Sequence, residues 1–212
     1  EHILKHQDLL PMLKEAGCLF ITTAVESVEE NILNLLNKGH TRSDFVVATR
    51  IAQKIGIILS PTFVPFTPWT TIDGFIDLLN TIAELNLIEN VAPIQLAIRL
   101  LIPNESYLLN LPQIKPYLKE YNQEALSYRW ENKIQSVEKL CSIVQNIVET
   151  GTQKKYSREK IFKTIYKATL KIKGSNKTKM PYINKQSQLK IPSMSEPWFC
   201  CAEPTEEQLA RL

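Results

Sequence analysis

Two adjacent cysteines near the end of the chain, Cys200 and Cys201, are the side chains with the clearest chemical potential. They stand between the aromatic pair Trp198-Phe199 and the segment Ala202-Glu203-Pro204. A free cysteine usually serves as a small buried hydrophobic residue, but a terminal segment cannot bury two neighbours whose side chains diverge. The pair therefore predicts redox chemistry, metal binding or covalent modification.

The other two cysteines, Cys18 and Cys141, are isolated in the sequence. Four cysteines permit two disulfides, but these spacings are neither those of a secreted disulfide framework nor those of a zinc site. We therefore expect reduced thiols and no metal site built by the chain alone.

Composition indicates a globular protein with one domain and an extension. The chain has 212 residues, of which 44% are hydrophobic and 22% are charged. It contains no run of roughly 18 to 20 apolar residues and does not start with a basic region followed by an apolar one. We expect a cytoplasmic protein without a membrane partner. Because Glu1 falls inside a helical pattern, we also expect the chain to be part of a longer protein.

Positive charge is concentrated late in the sequence. Residues 154–190 hold twelve Lys or Arg against one acid, Glu159, although the formal net charge of the chain is only +3. Such a segment can contact RNA or an acidic partner, or it can form a solvated helix face and a linker. Few aromatic residues are interleaved with the lysines, and Phe162 and Tyr166 have helical spacing. The second interpretation is favoured, and nucleic acid is not expected as a partner.

Hydrophobic periodicity predicts strands that alternate with helices in the first hundred residues. Apolar runs favour strands over 18–22, 57–64 and 91–97. Helices are predicted over 2–16, 27–39, 43–56, 72–85, 105–109, 113–121, 132–149 and 157–172. Strands separated by helices indicate an α/β fold with a parallel sheet. Three strands are few for such a sheet, which predicts an open edge where earlier strands belong.

One stretch of this pattern resembles a known family. The apolar run 18–25 is followed by Glu26-Ser27, a helical pattern and the sequence Lys38-Gly39-His40-Thr41. This order resembles the fourth strand and following helix of radical SAM enzymes. The ending 200–204 is similar to that of a radical SAM subfamily named for a Cys-Cys-Ala-Glu-Pro tail.

The resemblance implies the C-terminal half of a partial parallel (β/α) TIM-like barrel, followed by helices and an extended tail. The barrel part would span 1–102, the helical region 103–173, and the basic linker with the tail 174–212. The family cleaves S-adenosylmethionine at a 4Fe-4S cluster held by a Cys-x-x-x-Cys-x-x-Cys loop, which this sequence lacks. The resemblance thus implies a missing N-terminal half that supplies the cluster, an unidentified small-molecule or peptide substrate, and an inactive fragment.

Ligands of parallel barrels bind at the carboxyl ends of the strands. The residues expected there are Thr22, Glu26, Ser27, Thr62, Thr67, Gln95 and Arg99. By resemblance, Glu26 would accept hydrogen bonds from a ligand ammonium or ribose hydroxyl, beside Ser27. The alternative is a solvated acid next to a helix cap, with Ser27 and Glu30 forming a capping box. Cys200 and Cys201 are the catalytic candidates, on a flexible tether.

The last predicted strand carries two polar side chains on one face, those of Gln95 and Arg99. An arginine there suits bidentate contact with a carboxylate or phosphate, although a salt bridge at the rim explains it too. Cofactor binding is therefore expected at Glu26, Ser27, Thr62, Gln95 and Arg99. Aromatic residues Phe66 and Trp69 line a pocket or cover the rim. The histidines at positions 2, 6 and 40 are expected at the surface or at helix caps.

Overall fold

The structure is a computed structural model that describes residues 2–175. Its helices are α1 (His2–Lys5), α2 (Leu10–Glu15), α3 (Glu30–Leu35), α4 (Arg42–Ile55), α5 (Ile72–Glu84), α6 (Gln135–Gln153) and α7 (Arg158–Lys173). Its strands are β1 (Phe20–Glu26), β2 (Ile58–Phe63), β3 (Leu118–Asn122) and β4 (Ser127–Trp130). The fold is mixed α/β, and the described residues do not close a barrel.

Strands β1 and β2 form a parallel pair, as the alternating pattern predicts. Phe20 lies opposite Ile58 and Ala24 opposite Thr62. The connection between them contains α3 and α4. Helix α4 begins at a capping box in which Thr41 and Asp44 satisfy each other's backbone N–H groups. It ends at Gly56, whose φ of 80° is the left-handed conformation that glycine adopts without strain.

The two faces of this sheet differ in burial. On one face Val25, Leu59 and Phe63 are almost fully buried against the helices. On the other face Thr22 and Ala24 are exposed. Within residues 2–175, strand β1 pairs only with β2, so its second edge has no neighbouring strand. That earlier strands belong at this edge stays a prediction.

The predicted strand over 91–97 is wrong. Residues Pro93–Leu96 form a 3-10 helix, and the chain extends only afterwards, where Arg99 makes an isolated parallel bridge with Phe66. Proline has no N–H to donate to a ladder, and a short apolar run buried on all sides has the same sequence pattern in either conformation. The third parallel strand is thus reduced to a bridge.

The predicted helix over 113–121 is also wrong, because β3 and β4 form an antiparallel hairpin there. Tyr121 lies opposite Tyr128 with ring centroids 5.1 Å apart, a cross-strand aromatic pair that favours the hairpin. The helix expected over 105–109 is a 3-10 helix, Tyr107–Asn110. The hairpin and this turn enclose a small apolar cluster around Ile102, Ile114 and Trp130.

The first two predicted helices differ from those in the structure. The first helix is interrupted, because a 3-10 turn, Gln7–Leu9, separates α1 from α2, which has Pro11 in its first turn. Helix α3 begins at Glu30 with Glu29 as its N-cap, and Ser27 accepts a hydrogen bond from the Glu29 backbone without capping the helix. The predicted Ser27–Glu30 capping box is therefore wrong. The predictions for α4, α5, α6 and α7 are confirmed within a few residues.

Helices α5, α6 and α7 pack together in the main apolar core. Helix α6 approaches α7 closely at Gly151, where an added Cβ would stand 2.7 Å from Cγ1 of Ile161. Tyr166 on α7 is 2% exposed and donates its hydroxyl hydrogen bond to Asn80 on α5. Among the described residues, no helix combines the length and apolar character that crossing a membrane requires.

Candidate functional site

Glu26 closes β1 in an unusual backbone conformation. Its φ is 64°, in the left-handed region, and the register with β2 shifts by one residue between Ala24 and Glu26. The strand therefore ends in a bulge, after which the backbone oxygen of Glu26 accepts a hydrogen bond from Val64. A residue other than glycine pays about 1 to 2 kcal/mol of conformational energy in the left-handed region. Residues in such conformations concentrate at functional sites.

The loop between α3 and α4 returns to this strand end. Nζ of Lys38 lies 3.0 Å from Oε1 of Glu26, and the two side chains are only 28% and 12% exposed. Nε2 of His40 lies 3.1 Å from the backbone oxygen of Val25. Because a carbonyl oxygen only accepts hydrogen bonds, Nε2 of His40 carries the proton in this contact. The sequence predicted His40 at the surface or at a helix cap, and it gave Lys38 no role at the site.

The structure brings two of the remaining candidates to the same end of the parallel pair. Ser27 follows Glu26 and is buried, and its hydroxyl oxygen accepts a hydrogen bond from the Glu29 backbone N–H. Thr62 lies opposite Ala24 and donates a long hydrogen bond of 3.5 Å to the oxygen of Thr23. Glu26, Ser27 and Thr62 therefore lie together at the carboxyl ends of β1 and β2.

Within residues 2–175, small and polar side chains line the partly exposed face of the parallel pair that leads to this end, called the uncovered face below. Thr22 is paired with Ser60 and Ala24 with Thr62, so these four side chains share a face. Thr22 and Ala24 are exposed, whereas Ser60 and Thr62 are half-buried. The face offers hydroxyl groups that can donate to and accept from the ribose and base of a nucleoside.

Gln95 does not lie on a shared strand face with Arg99. It is 5% exposed within the 3-10 helix, and its Oε1 accepts a hydrogen bond of 3.1 Å from the backbone N–H of Phe63. The amide thereby satisfies the N–H of the last β2 residue, a group that would otherwise be buried without a partner. The predicted polar pair on one strand face is wrong.

Arg99 forms ionic and aromatic contacts inside the protein. Its guanidinium donates to both carboxylate oxygens of Glu138 on α6, at 2.9 and 3.4 Å, and to the backbone oxygen of Trp130. The same group lies 3.6 Å from the centroid of the Trp130 ring. The salt-bridge alternative considered from the sequence is the one that the structure contains.

The candidates of the 65–70 turn belong to the packed interior. Phe66 is 1% exposed and stacks on Phe75 at a centroid distance of 5.0 Å. Thr67 is fully buried, and its hydroxyl lies 3.0 Å from that of Thr70. Only Trp69 is half-buried, with its indole N–H directed to the oxygen of Gln113. The turn therefore packs in the interior and presents little aromatic surface to a ligand.

The described cysteines do not form a cluster site. Cys18 precedes β1, at the end of the sheet opposite Glu26, and Cys141 is buried in α6. In residues 2–175 no three His, Cys, Asp or Glu side chains are grouped as metal ligands. These residues do not fit a 4Fe-4S cluster, which needs three thiolates from the protein. Cys200 and Cys201 lie outside the described residues, and their catalytic role stays a prediction.

A small cleft lies on the helix-covered side of β1. It is lined by Thr23, His40, Asp44 and Phe45, with further apolar neighbours from α1 and α4. Its volume of about 40 Å³ has room for one or two water molecules. The cleft is too small for a nucleoside, so the uncovered face is the better candidate surface.

The basic segment uses several of its charges within the chain. Lys163 pairs with Glu159, and Lys173 pairs with Asp73 at the start of α5. Arg158 donates to the backbone oxygen of Glu89. Binding of RNA or an acidic partner through 154–190 stays a prediction, since 176–190 lies outside the described residues.

No protein-family model matches this sequence, and no curated protein matches it significantly.

Proposed function

We propose that this chain supplies the C-terminal half of the barrel of a radical SAM enzyme. In this proposal Glu26, Ser27 and Thr62 contact S-adenosylmethionine or the substrate at the carboxyl ends of β1 and β2. The observation that carries it is the meeting of a Glu-Ser turn and Thr62 at one end of a parallel pair whose polar face is uncovered. Parallel α/β folds bind ligands at this end.

The donor set on this face fits a nucleoside. Glu26 offers an acceptor for ribose hydroxyls or an ammonium group, and Thr22 offers a hydroxyl group that both donates and accepts. The Thr62 hydroxyl donates to Thr23 and offers its oxygen as an acceptor. Gln95 and Arg99 are left out of the proposed contacts, because their polar atoms are engaged with Phe63 and Glu138.

The cluster requires a partner. Because residues 2–175 do not fit a 4Fe-4S cluster, we assign its ligands to a preceding half-barrel that pairs with the second edge of β1. That half would also cover part of the face described above, as both faces of a parallel sheet are normally covered. No step of the reaction is assigned to the described residues beyond binding and orientation.

Titration with S-adenosylmethionine tests the contribution of this chain. We expect the amide resonances of Thr22, Glu26, Ser27 and Thr62 and the methyl resonances of the two threonines to shift in a saturable manner, at millimolar affinity because the cluster contacts are absent. ATP serves as a control for binding of adenine and phosphate alone. If S-adenosylmethionine shifts none of these resonances, or shifts them no more than ATP does, the chain does not hold the cofactor.

The complete reading frame provides the second test. We expect iron, sulfide and S-adenosylmethionine-dependent formation of 5′-deoxyadenosine after purification without oxygen. A full-length protein that takes up no iron or sulfide on reconstitution would overturn the enzyme proposal.

A further inference from the structure

We infer that Lys38 is a positioning residue, whose ammonium group holds the carboxylate of Glu26 in the orientation in which Glu26 contacts a ligand. The inference rests on the proposed function, since it assumes that Glu26 binds S-adenosylmethionine or the substrate. It adds a residue that makes no direct contact with that ligand. The geometry of the strand end and of the loop carries it.

Glu26 needs to be held because its backbone does not confine its side chain. The residue lies directly after a bulge with a φ of 64°, and a glutamate has three side-chain torsions. The contact of 3.0 Å with Lys38 fixes one of the two carboxylate oxygens and leaves Glu26 only 12% exposed.

Lys38 is itself fixed by the local backbone. Its N–H donates to the oxygen of Leu33 and closes α3. Asn37 and Gly39 on either side have φ values of 50° and 68°, so the chain reverses around Lys38 in two left-handed steps. His40 then anchors the loop to the oxygen of Val25. These contacts fix the backbone from which the Lys38 side chain reaches Glu26, and that side chain is only 28% exposed.

Charge alone does not explain the arrangement. A single ion pair near the surface contributes little net stability, and a left-handed conformation at a residue other than glycine costs stability. Stability is therefore a weak reason for this pair at this position. A carboxylate that is desolvated and aimed toward a ligand is of use in binding, because hydrogen bonds to an ionised acceptor are the stronger ones.

The test compares Lys38→Met, which keeps the length of the side chain, with Lys38→Arg, which keeps the charge. Lys54→Met removes an exposed lysine from α4 and is the control. The first readout is the side-chain carboxyl carbon resonance of Glu26. The second is the dissociation constant for S-adenosylmethionine from the Glu26 resonances. We expect Lys38→Met to move the carboxyl resonance and weaken binding about tenfold, and Lys38→Arg to restore most of both.

The outcomes distinguish the positioning of Glu26 by Lys38 from the binding of S-adenosylmethionine by the chain. A Glu26 carboxyl resonance in Lys38→Met that coincides with the unmodified one overturns the positioning role. A moved resonance with unchanged affinity overturns the link to ligand binding. Absence of any S-adenosylmethionine effect in the unmodified chain refutes the proposed function, and the positional effect of Lys38 is still read from the first measurement. If Lys38→Met does not give a folded amide spectrum, Lys38→Gln repeats both readouts.

Discussion

The guanidinium of Arg99 stacks on the indole of Trp130, 3.6 Å above the ring centroid, while its N–H groups bind the Glu138 carboxylate. The indole N–H donates in turn to the oxygen of Leu100 at 2.7 Å. Arg99 also forms the isolated bridge with Phe66. The contact with Trp130 and Glu138 therefore joins the segment after β2 to the hairpin and to the start of α6. The sequence suggested that Arg99 binds a ligand carboxylate or phosphate. In the structure Arg99 holds its own segment, the hairpin and α6 together.

Replacement of Arg99 by lysine tests this connecting role. Lysine keeps the charge but loses the planar stacking and the two-point contact with Glu138. We expect Arg99→Lys to lower the free energy of unfolding by about 1 to 2 kcal/mol, measured by urea denaturation, and to leave S-adenosylmethionine binding unchanged. Arg129→Lys, an exposed arginine on β4, is the control and should cost less than about 0.5 kcal/mol. Equal effects of the two variants would contradict the connecting role.

A methyl group at Gly151 tests the close approach of α6 and α7. Alanine favours helix over glycine, so Gly151→Ala would stabilise an unconstrained helix by up to about 1 kcal/mol. Here the new Cβ would stand 2.7 Å from Ile161 Cγ1 and 2.8 Å from its Cδ1. We expect a net loss of about 1 to 3 kcal/mol from this overpacking, seen as a lower thermal midpoint.

Removal of the obstructing side chain provides the control for that experiment. In Gly151→Ala/Ile161→Ala the collision is absent, and the combined loss should be smaller than the sum of the two single losses. Asn146→Ala on the exposed face of α6 should stabilise slightly, because it changes helix propensity alone. Additive effects of the first pair would show that the helices are not in tight contact at this point.

Glu29 predicts a pH dependence of stability. Partial burial raises the pKa of its carboxyl group above the ordinary 4.5, and the nearby charge of Asp77 raises it further. The folded state therefore binds the proton more tightly than the unfolded state. The resulting stabilisation is complete below the unfolded pKa and is lost as pH rises through the folded pKa.

Replacement of Glu29 by glutamine should remove this dependence. We expect Glu29→Gln to raise the thermal midpoint at pH 7, where the native carboxylate is ionised and partly desolvated, and the difference to vanish below about pH 4.5. Glu120→Gln, an exposed acid on β3, should show no such trend. A constant difference across the pH range would exclude the carboxyl group as its origin.

The capping box of α4 gives a prediction for a single hydroxyl. The Thr41 backbone N–H and side-chain hydroxyl both donate to Asp44 and hold the pKa of its carboxyl group below the usual 3.8. Thr41→Ala should cost about 1 kcal/mol of stability and raise the pKa of Asp44 toward its ordinary value, measured by NMR titration of the carboxyl carbon. Thr41→Ser retains the hydroxyl and should restore most of both properties.

The helices were predictable from the sequence where local signals agree. Helix α4 has an apolar face at helical spacing and a glycine stop at Gly56, and α7 has a serine cap at Ser157 and a glycine stop at Gly174. The segment 91–97 lacks such signals. Gln95, Leu96 and Ala97 are buried, and the 3-10 helix is packed by α6, α7 and β2, which are distant in sequence. An apolar run does not distinguish a strand from a 3-10 turn.

The candidate site was predictable in part for a similar reason. Glu26 and Thr62 follow from the rule that ligands bind at the carboxyl ends of parallel strands. The arrival of Lys38 at Glu26 depends on the direction that Asn37 and Gly39 give to the chain, and that direction is a property of two backbone angles. The pairing of Arg99 with Glu138 depends on how α6 packs, which residue spacing does not encode.

Strand β1 has an edge without a neighbouring strand within residues 2–175, which has a consequence for how long the isolated chain survives in solution. Its seven residues contain no lysine, arginine or proline, the side chains by which natural proteins protect strand edges. Aggregation through edge-to-edge association then competes with refolding. The stability observed for the isolated chain is in that case set by the rate of irreversible unfolding and not by an equilibrium free energy. The apparent melting temperature should fall as protein concentration rises and should vary with the speed of heating. A polypeptide that pairs with this edge would lengthen the half-life of the chain without any change in its own sequence.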